Sequence, residues 1–100
     1  YQWLPADFSV SGTGQVKIQS YINNLRSDLF PEFPGLVEQT LEPMIAPWER
    51  ILRTNLKGKD IQVIVKVALI TLTPEKPTYQ GGSWHIEGMP HERIVASGLH

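Results

Sequence analysis

The chain contains no cysteine. Disulfides, thiolate metal sites and cysteine nucleophiles are therefore excluded. An excess of one charge sign is also missing: nine basic side chains stand against ten acidic ones, for a formal net charge of −1. That balance supplies no electrostatic footprint for nucleic acid or an anionic membrane. Long apolar runs are absent. The most apolar stretch, residues 61–72, is too short to cross a bilayer and contains Lys66. YQWLPADFSV at the start has no basic stretch followed by an apolar one, so no secretory signal is readable. There is no internal repeat and no low-complexity tract. The chain reads as soluble and intracellular, in the cytoplasm, with neither a nucleic-acid nor a membrane partner.

What is present allows one small domain of 100 residues. Tyr1 is no natural start, and strand-like patterning runs up to His100. The expectation is that residues 1–100 form a single partial domain whose principal partner is the remainder of its own chain.

ADFSVSGTGQVKIQSYI, residues 6–22, reads as a β-hairpin: DFSV and VKIQSY alternate apolar and polar positions around the glycines of SGTG. Asn23-Asn24 suggests a turn. Residues 36–56 carry Leu36, Val37, Leu41, Met44, Ile45, Trp48, Ile51 and Leu52 at helical spacing. Pro43 and Pro47 interrupt it, since each lacks an N–H and crowds the preceding turn. Two helices are therefore predicted, near 36–42 and 47–56, with Pro47 at a first helical position and Gly58 as the stop. IQVIVKVALITLT, residues 61–73, has the strongest strand pattern, its far end apolar enough to be covered on both sides. PEKPTYQGG follows as a polar loop. SWHIE and ERIVASGLH would be two further strands around a turn at Gly88-Met89-Pro90. The fold class is α+β, with helices packed on a mostly antiparallel sheet.

The chemistry is concentrated in WHIEG. On an extended backbone residues two apart share a face, with Cα atoms roughly 6–7 Å apart. His85 and Glu87 can then converge on one cation, whereas on a helix they would diverge by about 200°. A histidine and a carboxylate from one strand, with a distant second histidine, make the facial triad of non-haem Fe(II) oxygenases. Gly81 and Gly82 favour a bend that aims the pair into a cavity. The alternative is an exposed strand with a solvated pair, because H-x-E is a short motif.

The block KDIQVIVKVALITLTPEKPTYQGGSWHIEGMPHERIVASGLH resembles the centre of a mainly fungal family, domain of unknown function 4246. YQWLPADF and VKIQSYINNL resemble that family's upstream signature, so the likeness covers nearly the whole chain. LTPEKP, YQGGSWHIEG and ERIVASG are its most specific elements. The resemblance implies a double-stranded β-helix, or jelly roll, related to Fe(II)/2-oxoglutarate-dependent oxygenases, of which these residues are the N-terminal part. It implies His85 and Glu87 as the first two metal ligands, with Fe(II) and 2-oxoglutarate as cofactors; the substrate, small molecule or protein, is left unassigned by it. The second histidine and the basic group for 2-oxoglutarate would lie beyond residue 100. Glu87 stands where such oxygenases more often carry aspartate, and His91 where a polar residue such as asparagine is expected, which argues against a role for it.

Two further readings compete with the oxygenase. One is a non-catalytic jelly-roll binding or interaction module, since a fold does not dictate activity. The other is a zinc hydrolase, which lacks a legible general base. His91-Glu92 begins a zincin motif that fails at Val95, where histidine is required. His100 as a third ligand would come from the next strand. Ser83 has no nucleophile elbow around it and reads as a turn residue. Trp84 would face away from His85, as core or as a lid; Trp3 and Trp48 read as packing residues, and Arg93 as a surface partner for Glu92 or Glu75.

Overall fold

The computed structural model describes residues 3–100; Tyr1 and Gln2 of the YQWLPADF motif lie outside them. The fold is α+β. Strand β1 (Ala6–Val10) pairs antiparallel with β2 (Val16–Ile18) and, on its other edge, with β3 (Asp60–Val63), giving the order β2-β1-β3. Alternation sets the faces: Ala6, Phe8 and Val10 are buried while Asp7 is exposed and Ser9 only partly covered. Phe8 sits opposite Ile18 on one side and Ile61 on the other. The turn between β1 and β2 is organised by Ser11, whose Oγ accepts the N–H groups of Thr13 at 3.3 Å and Gln15 at 2.9 Å.

A single helix, α1 (Phe33–Leu52), replaces the two expected, and it runs through both Pro43 and Pro47. The prolines stand one turn apart on an exposed stripe with Gln39, opposite the buried Val37, Leu41 and Ile45. The carbonyls that lose their donors, those of Gln39 and Pro43, therefore belong to the wet side of the helix, where water can serve them. Burial of the other side holds the helix together. It ends at Leu52 rather than near 56, with Arg53 left-handed at φ 53° and its N–H bonded to the Glu49 carbonyl. Gly58 is not the stop but a turn residue, its N–H donating to the Val10 carbonyl at 2.8 Å.

Helix α1 also closes the outer edge of the sheet. Glu38 and Glu42, on successive turns, accept the N–H groups of Ile18 (2.8 Å) and Val16 (3.2 Å). Edge-strand donors that would otherwise invite pairing with another chain are thus satisfied by carboxylates. Glu49 does the same for Leu56 N–H at 2.7 Å.

Beyond Val63 the structure departs from the expected sheet. Residues 64–73 form no strand, and neither does SWHIE or ERIVASGLH; Pro90–Glu92 is a short 3-10 turn instead. Pairing with β1 ends where Ala6 opposes Val63. The far end, expected to be covered on both sides, is open: Leu69 is 88 % exposed. Thr73 and Lys76 exchange backbone hydrogen bonds of 3.0 and 3.1 Å, reversing the chain at TPEK. The C-terminal stretch touches α1 where Trp48 Nε1 donates to the Ser97 carbonyl at 3.2 Å. Among the described residues, no helix is long and apolar enough to cross a membrane.

Candidate metal centre

Two left-handed glycines bracket the site, Gly81 at φ +87° and Gly88 at φ +80°. A side chain at either position would be strained by about 1–2 kcal/mol. At Gly88 a Cβ would also lie 2.7 Å from Ile94 Cγ1. Between them residues 84–86 have no helical turn, so His85 and Glu87 are free to share a side.

They meet there. His85 Nε2 lies 2.8 Å from Glu87 Oε1, and His85 Nδ1 lies 2.9 Å from the Ser83 carbonyl oxygen. A carbonyl only accepts, so Nδ1 carries a proton and Nε2 is the nitrogen presented to the carboxylate. Glu87 Oε2 faces a third group, Lys66 Nζ, at 3.5 Å. Lys66 Nζ stands 5.9 Å from the ring centroid of Trp3, within cation–π range. TPEK and the loop after it thus return the chain to within side-chain reach of residue 66.

Charge follows this geometry. The Ser83 carbonyl, then the Glu87 carboxylate, raises the His85 pKa above its ordinary value. The hydrogen bond from His85, then the Lys66 charge, lowers that of Glu87. An imidazolium–carboxylate pair is therefore favoured between the lowered Glu87 value and the raised His85 value. What it contributes to the turn fades as pH rises through the His85 pKa or falls through that of Glu87. Following the His85 ring protons by NMR should give a midpoint above roughly 6.5, the unperturbed value. Glu87→Gln should bring it part of the way back, leaving the Ser83 contribution. A wild-type midpoint at or below the ordinary value would mean the pair does not form in solution.

Other expectations fare differently. The pair does not point into a cavity: its side chains are 59 % and 52 % exposed. Two concave surfaces, of about 450 and 490 Å³, lie elsewhere, between the hairpin and α1 and along the central strands. Trp84 is neither core nor lid but fully exposed. Trp48 does pack against the core. Ser83 acts through its carbonyl, and Glu92 accepts the Met89 N–H at 3.1 Å. No group of three or more metal-capable side chains forms among the described residues, so neither His91 nor His100 completes the pair. Sequence reasoning missed Lys66 as a neighbour of Glu87; its place on the polar face of the 61–73 run was the only signal.

A family model described as "Protein of unknown function (DUF4246)" matches residues 1–59 and 53–100. The chain belongs to the DUF4246 family. Both halves of this DUF4246 chain fall within the match, the hairpin and helix as well as the WHIEG turn. No curated protein and no solved structure matches it.

Proposed function

We propose that His85 and Glu87 are two ligands of a non-haem Fe(II) site in a jelly-roll protein of the 2-oxoglutarate-dependent oxygenase type. The observation that carries this reading is the 2.8 Å approach of Nε2 to Oε1, with Nδ1 engaged by the Ser83 carbonyl. Metal-bound histidines usually donate their other ring N–H in this way, which fixes the tautomer and the ring. Two donors bound side by side to one octahedral cation, at ordinary bond lengths, sit about 3 Å apart. A divalent ion that displaces the Nε2 proton would find the two donors at a suitable separation once both side chains turn toward it, so the donor pair fits.

Iron bound with 2-oxoglutarate would supply the oxidative chemistry. This chain's contribution is to hold the donors: Ser83 orients the imidazole, the two glycines set the turn, and Lys66 engages the far carboxylate oxygen. A third ligand and a basic group for 2-oxoglutarate are needed beyond the residues that meet here.

The test is anaerobic purification of the full-length protein, followed by measurement of bound iron and of 2-oxoglutarate-dependent oxygen uptake. Wild type should hold iron and consume oxygen, and His85→Ala should lose both. Equal iron content in the two proteins would remove the site. The 100-residue chain alone should bind a divalent ion only weakly, because two ligands make an incomplete set. A second reading, a non-catalytic binding module, is supported by the exposure of the pair and of Trp84. Iron binding without 2-oxoglutarate-dependent uptake would favour it.

A further inference from the structure

We propose that Lys66 is a positioning residue of the His85/Glu87 site, holding one oxygen of Glu87 so that only the other is offered to a cation shared with His85. The inference rests on the metal reading above and adds the manner in which the carboxylate binds.

The two oxygens of Glu87 are divided between two neighbours: Oε1 lies 2.8 Å from His85 Nε2, and Oε2 lies 3.5 Å from Lys66 Nζ. A carboxylate can bind a cation through one oxygen or chelate it through both. With Oε2 engaged by an ammonium, chelation must compete with that ion pair, and one-oxygen binding does not. Lys66 is suited to the task by its place in the chain. It follows closely on β3, which is hydrogen-bonded to β1, while its ammonium also lies over Trp3 just ahead of β1. The carboxylate of a turn otherwise joined to little of the core is thereby referenced to the sheet. Lys66 and Glu87 are both about half exposed, so solvent screens the repulsion between the ammonium and an incoming cation as well as the ion pair itself.

The experiment uses the 100-residue chain with Mn²⁺ alone as probe, at concentrations high enough for weak binding. Paramagnetic broadening of the His85 ring protons reports whether the ion reaches the site. Infrared difference spectra of ¹³C-glutamate-labelled protein, taken against Glu87→Gln, report the splitting between the two carboxylate stretches. That splitting is wide for one-oxygen binding and narrow for chelation. Wild type should broaden His85 and show the wide splitting. Lys66→Met should keep the broadening but narrow the splitting, and Lys66→Arg should restore it, while unchanged amide spectra show the fold intact. Broadening with the same splitting in wild type and Lys66→Met overturns the role of Lys66 and leaves the metal reading standing. No broadening in wild type overturns both.

Discussion

Phe8→Ala is expected to destabilise the chain by about 3–5 kcal/mol, the usual cost of emptying a large aromatic site in a core. Phe8 is 0 % exposed and lies between Ile18 and Ile61 at the centre of the sheet. The buried cluster it belongs to is small: Ala6, Val10, Val16, Ile22, Val37, Leu41 and Ile45 are its other buried members. A domain of this length has a total stability of roughly 5–15 kcal/mol, so the loss takes a large share of it. Urea unfolding followed by circular dichroism should show the midpoint fall sharply for Phe8→Ala. Phe8→Leu, which keeps most of the volume, should lose about 1 kcal/mol. A shift for alanine no larger than that for leucine would mean that the sheet and helix do not pack around this ring.

The second large effect has the opposite sign. Pro43→Ala and Pro47→Ala should each stabilise the chain, by about 2 kcal/mol. Inside a helix proline is about 3 kcal/mol less favourable than alanine. Part of the gain is returned because alanine gives the unfolded chain about 0.4–1 kcal/mol more conformational freedom to lose. Both prolines are exposed, so no packing is lost on removing them. Thermal unfolding of the single and double variants is the measurement. Additive increases in the midpoint are expected only if α1 is continuous from Phe33 to Leu52. A fall in the midpoint would place a helix break at the prolines, as the local rules for 36–56 anticipate.

These two sites also show how far the sequence could be read. The hairpin was legible because both of its signals are local: alternation of DFSV against VKIQSY, and SGTG between them. The apolar stripe of α1 was equally legible, but its continuity was not. Local rules charge the full cost of each proline, whereas the outcome turned on which side of the helix faced the sheet. At the candidate site, spacing alone anticipated that His85 and Glu87 could share a side. Lys66 was out of reach of that argument, because its meeting with Glu87 depends on the reversal at Thr73–Lys76.

By itself, the sequence determined the α+β class, the β1–β2 hairpin, the buried stripe of the helix, and a histidine and a glutamate spaced to share a side, although the strand expected to carry them does not form. Each depends on periodicity or turn chemistry within a few residues. Only the tertiary structure decided that one helix spans both prolines, that the 61–73 run pairs only as far as Val63, and that Lys66 takes the second oxygen of Glu87. Those outcomes depend on partners distant in the chain: a strand continues only where a neighbour lies alongside it, and a carboxylate bonds whatever cation the fold brings to it.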